Sequence, residues 1–142
     1  MTVPNDPPLP ARPLSRPALA AIVFAALAGA AAVALGAAAA HGVSPQQARL
    51  AETASFYALF HAPAMIVAAL AMDRMGGTWA RRLAGLAALA FALGIVLFAG
   101  ALGMLAFGIN THTAPFGGLA LIGAWVVLAV AALVAFGGRR RD

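Results

Sequence analysis

Polar and apolar positions along this chain separate into long blocks. Residues 17–40, 54–72, 83–107 and 115–136 form four runs of 24, 19, 25 and 22 residues without a single Asp, Glu, Lys or Arg. About 20 residues at ~1.5 Å each cross a hydrocarbon layer of ~30 Å. Every run is long enough to do so. Backbone polar groups in lipid must be satisfied within the segment, which predicts helix in all four. The expected fold is all-α: an integral membrane four-helix bundle, antiparallel, filling residues 17–136. The flanks read differently. Residues 1–16 hold five of the nine prolines and predict a Pro-rich tail without regular structure. Residues 137–142 form a short basic tail.

Composition supports lipid as the main solvent. The 142-residue chain is 63% hydrophobic and 9% charged, with a mean hydropathy of +0.94, against roughly 25% charged residues in soluble domains. A soluble chain this short could not bury so much apolar surface. The net charge of +5 does not point to nucleic acid, because the nine basic residues, all arginine, stand in short clusters beside the apolar runs. With four spans, Arg12, Arg16, Arg74, Arg81, Arg82, Arg139, Arg140 and Arg141 share one side, and Arg49 alone faces the other. The positive-inside rule then places both termini in the cytoplasm. Cysteine is absent, which excludes disulfides and thiolate metal sites. A cleaved leader ending at Ala38-x-Ala40 is the competing reading of the first run. That run exceeds the usual apolar core of about 7–15 residues, and no soluble domain follows it.

The first outer connection carries clear punctuation. Gly42 is a helix stop. Ser44, Pro45 and Gln47 make an N-cap, an N1 proline and a capping box, so the second helix is predicted to start near Pro45, outside the lipid. Arg49, Thr53, Tyr57 and His61 follow at intervals of four and form a polar ridge down that helix. His61 then lies roughly 10 Å below the outer boundary. Pro63 beside it frees the carbonyl of Leu59. Small residues at helical spacing predict close packing: Ala25, Gly29, Ala32, Gly36 and Ala40 in the first span, Ala92, Ala99 and Gly103 in the third, Gly117, Gly118 and Gly123 in the fourth.

Candidate chemistry is sparse. An ionisable ring inside a span marks a functional site by default, and its bland alternative is a neutral histidine bonded across helices. His41 at a helix C-terminus fits simple capping. His112 fits a solvated loop, with Asn110, Thr111 and Thr113 as turn and cap residues. A metal centre of His41, His61 and His112 has suitable ligand types, but the spacing matches no local motif. Trp79 suits the headgroup level of the inner loop. Trp125 sits mid-helix, where its N–H needs a partner when buried. Glu52 and Arg49, three apart, fit an exposed surface pair. The candidate ligand-binding set is therefore His41, Tyr57, His61 and Trp125, with no catalytic residue and no cofactor identified.

Four stretches in order, "LGAAAAHG", "FYALFHA", "FAG" and "TAPFGGLALIGAW", resemble the YgdD-like family of small four-helix membrane proteins, the domain of unknown function 423, similar to eukaryotic transmembrane protein 256. The resemblance covers residues 20–136 and is most specific at Gly36, His41-Gly42, Tyr57, His61, Pro115, Gly117-Gly118 and Gly123 through Trp125. It implies a bacterial inner-membrane protein of four helices and places His41 and His61 in the family pattern. It implies no activity. The chain departs from the pattern after "FAG", where Ala101, Leu102 and Gly103 replace a more polar, aromatic stretch, and any pocket there would be drier. His112 has no family counterpart.

The function expected first is a structural or accessory subunit that packs against other membrane proteins or a second copy. A binder of a small ligand, metal or cofactor at the outer His/Tyr patch is the alternative. An enzyme or transporter ranks last, because neither a nucleophile–base pair nor a charged intramembrane path is present.

Overall fold

The computed structural model describes residues 13–41 and 43–138. Arg12, Gly42 and Arg139 to Arg141, named above, lie outside them. Four helices make up the described chain: α1 (Arg16–Ala39), α2 (Pro45–Arg74), α3 (Thr78–Ala106) and α4 (Ala114–Gly138). All four are long and apolar enough to cross a membrane.

The helix ends follow local chemistry. Ser15 caps α1 by accepting from the amide of Ala18 at 3.4 Å, with Pro17 in the first turn. Ser44 and Gln47 form the expected capping box: Oγ of Ser44 accepts from Gln47 N at 3.3 Å, and Ser44 N donates to Oε1 of Gln47 at 3.0 Å. α2 starts at Pro45 as the cap predicts and runs for 30 residues, about 45 Å, so its ends project beyond a bilayer core. α3 starts at Thr78, before the apolar run at 83, and Trp79 belongs to its first turn instead of a loop. Charge does not end a helix: Arg81 and Arg82 reach sideways from a continuous backbone. Arg81 Nε donates to the Met72 carbonyl at the end of α2 (3.0 Å), and Arg82 lies 5.5 Å from the Trp79 ring centroid. α3 closes on Gly108 at φ +85°, with Gly108 N donating to Leu105 O and Ile109 N to Met104 O. That double bond is a Schellman stop, which needs the left-handed backbone glycine adopts freely.

Within α3, residues Ile95–Gly100 form a turn of π-helix. Sequence periodicity gave no sign of it. The turn lies where α4 arrives at closest range, because a Cβ on Gly117 would collide with the backbone of Leu97 and Phe98. Thr113, at the head of α4, donates its Oγ1 to the Leu97 carbonyl at 3.0 Å. A π turn leaves carbonyls without their usual helical donors, and this hydroxyl supplies one.

Packing is serial. α1 lies on α2, α2 on α3 and α3 on α4; α1 touches α3 lightly, and α1 and α4 are not packed on each other. The four helices stand in an open row, with α2 and α3 inside, and Trp125 of α4 also reaches Phe60 and His61 of α2. Burial agrees. α1 buries Ala18, Ala25, Ala32 and Ala39, a single stripe at intervals of seven, and α4 buries Gly117, Leu121, Ala124 and Ala131. One stripe is what a helix at the edge of the row covers. Most core side chains are alanine, and Phe91 of α3 is the largest that is fully buried. Ser55 of α2 donates its hydroxyl to the Ala32 carbonyl of α1 at 2.7 Å, and Gly36 leaves room for that hydroxyl. The amide of Ser15, before α1, meets the Asp73 carboxylate near the end of α2 at 2.7 Å. Of the predicted small-residue contacts, Ala25, Ala32, Gly36, Ala99, Gly103 and Gly117 are realised, whereas Gly29 and Gly123 face open space.

On the open flank between α1 and α3 runs a groove of about 830 Å³. Ala28, Ala31 and Leu35 line one wall, and Val96, Ala99 and Gly103 the other. Thr111 and Thr113 mark one end.

Candidate functional site

The polar ridge of α2 satisfies itself along its own helix. Thr53 Oγ1 donates to the Arg49 carbonyl at 2.8 Å, and His61 Nδ1 lies 2.7 Å from the Tyr57 carbonyl. A four-residue return bond of this kind removes a side chain from the search for distant partners. The expected surface pair of Glu52 and Arg49 is absent: both are exposed and neither forms an ion pair among the described residues. Ser55, which sequence reasoning passed over, makes the polar link between helices that was the bland expectation for His61.

His61 is 7% exposed. It lies about 24 Å along α2 from Pro45 and about 20 Å from Arg74, by helical rise, and α2 continues unbroken through Pro63. Four aromatic rings surround the imidazole. Tyr57 stacks on it from one turn earlier, at 5.7 Å between centroids and 13° between planes. Phe60 meets it edge-on at 5.5 Å and Trp125 of α4 edge-on at 6.3 Å, while Phe91 of α3 lies tilted at 6.0 Å. Phe91 and Trp125 are themselves edge-to-face at 5.1 Å. Phe98, from the π turn, packs against Tyr57 at 4.6 Å. Residues from three helices thus meet at one imidazole, and the π turn carries the support beneath Tyr57.

A carbonyl oxygen can only accept. His61 Nδ1 must therefore carry the proton in its bond to Tyr57, and in the neutral ring Nε2 is left as a lone-pair acceptor. Among the described residues nothing bonds to Nε2. No fully enclosed side-chain nitrogen or oxygen among them lacks a partner, so Nε2 keeps a small accessible surface. Tyr57 is 36%, Trp125 42% and Phe60 58% exposed, and these three stand on the outward side of the cluster.

The other candidates stay apart. His41 is exposed in the bend after α1, its amide donating to the Ala38 carbonyl at 3.1 Å. His112 stands in the loop before α4 at φ +56°, held by a bond from its amide to Asn110 Oδ1 at 3.0 Å. The described residues hold no group of three His, Cys, Asp or Glu side chains placed for a metal ion, so His41, His61 and His112 do not converge. The structure joins Tyr57, His61 and Trp125 and adds Phe60, Phe91 and Phe98. One of the added residues had a sequence signal: Phe60 directly precedes His61. Phe91 and Phe98 are two of eight phenylalanines, and only the fold selects them.

A family model described as a protein of unknown function, DUF423, matches residues 35–118, more than half of the chain. The chain belongs to the DUF423 family. The matched stretch of this DUF423 protein contains Gly36, Ser55, Tyr57, His61, Phe91, the π turn and Gly117; Trp125 lies beyond it. Neither a curated protein nor a solved structure matches the chain.

Proposed function

We propose that this protein is a structural or accessory subunit of the bacterial inner membrane, packing its open row of helices against other membrane proteins or a second copy. One observation carries the proposal: the row does not close. α1 and α4 do not pack on each other, and the α1–α3 flank presents an apolar groove of about 830 Å³ in which Ala28, Ala31, Ala99 and Gly103 stand among larger side chains. In lipid, helices associate through close backbone approach, and small side chains permit it. Successive helices run antiparallel, supported by the short connections and by the meeting of Ser15 with Asp73. Both termini face the cytoplasm, supported by Arg16, Arg74, Arg81 and Arg82 at one end and Arg49 at the other. The test is Ala31→Leu, which puts bulk from an exposed position into the groove. In mild detergent it should lose a co-purifying protein or the dimer while keeping its abundance and melting temperature. Unchanged co-purification would remove the groove as the interface.

A second reading is supported by a separate observation, the open acceptor at His61 Nε2. In it the protein binds a small membrane-soluble ligand at Tyr57, His61 and Trp125. His61→Phe keeps the ring volume and removes the acceptor, so it should abolish ligand retention without lowering the yield of folded protein. If only the yield falls, the histidine is a packing residue.

A further inference from the structure

The chemistry of His61 limits which ligand could sit at Tyr57, His61 and Trp125. The Tyr57 carbonyl accepts from Nδ1, which in the neutral ring leaves His61 Nε2 able only to accept a hydrogen bond. A ring only 7% exposed, with an idle acceptor, is an unmatched polar group in an otherwise apolar wall. Whatever completes it must bring an O–H or N–H donor. The rings of Tyr57, Phe60, Phe91 and Trp125 surround the imidazole, and no Asp, Glu, Lys or Arg lies in the apolar runs that carry them. The complement is therefore neutral. Its depth narrows the class. His61 lies roughly 10 Å inside the apolar run that begins at Ala54, by helical rise. The hydroxyl of a sterol or diacylglycerol, and the carboxyl of a fatty acid, belong at the water-facing interface. A phenolic hydroxyl on a flat apolar ring can travel deeper, and flat rings suit walls built of aromatic edges and faces. Phe60 at 58% and Trp125 at 42% exposure are the walls an incoming ring would meet from the lipid.

Building on the ligand-site reading, we infer that His61 Nε2, framed by Phe60, Phe91 and Trp125, accepts a hydrogen bond from the ring hydroxyl of a membrane-soluble phenol or quinol.

The protein's two tryptophans make the test direct. In Trp79→Phe, emission reports Trp125 alone. That protein, in phosphatidylcholine nanodiscs, is titrated with para-decylphenol and with its methyl ether, concentrations expressed per lipid. The ether has the same ring and tail and no donor. The phenol should give a saturable change in Trp125 emission, and the ether should bind about tenfold more weakly, the size expected when a buried acceptor is left unmatched. His61→Phe should erase the difference between the two probes. Equal affinity of phenol and ether for the Trp79→Phe protein would overturn the hydrogen bond to Nε2 while leaving a ring-binding site in place. No saturable change with either probe would overturn the ligand-site reading itself. If His61→Phe fails to fold, the phenol–ether comparison still decides.

Discussion

At the residue scale, a missing Cβ matters more in this protein than most side chains do. Gly117 faces the backbone of Leu97 and Phe98 and cannot gain an atom without moving α4 off the π turn. Gly117→Ala should lower stability by about 1–3 kcal/mol, the usual effect of overpacking. Gly123 meets open space, and Gly123→Ala should be neutral or slightly stabilising. Thermal melts of both variants in one detergent check the contrast. Ser55→Ala removes the hydroxyl bonded to Ala32 and should destabilise by about 0.6 kcal/mol, the average for hydrogen bonds between membrane helices. Sequence reasoning found Gly36, Tyr57, His61 and Gly117 because glycine and intramembrane polar rings stand out in an apolar run. It missed Ser55, since a lone serine carries no spacing signal, and it ranked Gly123 with Gly117 although only one of them meets a neighbour. Spacing identifies a face and does not say what lies opposite.

At the element scale, helix starts and stops were legible and the irregularity inside α3 was not. The capping box at Ser44 and Gln47 is written in side chains that bond to the adjacent backbone, so four residues suffice to read it. The start of α3 was misplaced because apolar runs report where lipid begins, and helices outlast lipid. The π turn coincides with the approach of Gly117 on α4 and the Thr113 bond to Leu97, both more than a dozen residues distant in sequence. Thr113→Val removes that donor while keeping the shape. Amide hydrogen exchange around residues 97–101 should quicken, with the capped start of α2 unchanged. Equal exchange in both proteins would show that the π turn does not depend on the hydroxyl.

At the scale of the whole molecule, four spans follow from hydropathy alone, but the open row does not. Single-stripe burial on α1 and α4 distinguishes a row from a ring, and in an alanine-rich chain every face offers small residues, so the stripe cannot be chosen from sequence. The proposed orientation predicts that a C-terminal reporter active only in the periplasm stays silent; an active one would invert the topology. The packing role is tested most directly by a photo-crosslinking amino acid placed at position 31, in the groove, and at position 133, where Leu133 is 69% exposed on α4. Irradiation of native membranes should attach a discrete protein at position 31 and lipid alone at position 133. Lipid alone at position 31 as well would contradict a subunit that packs through its open flank.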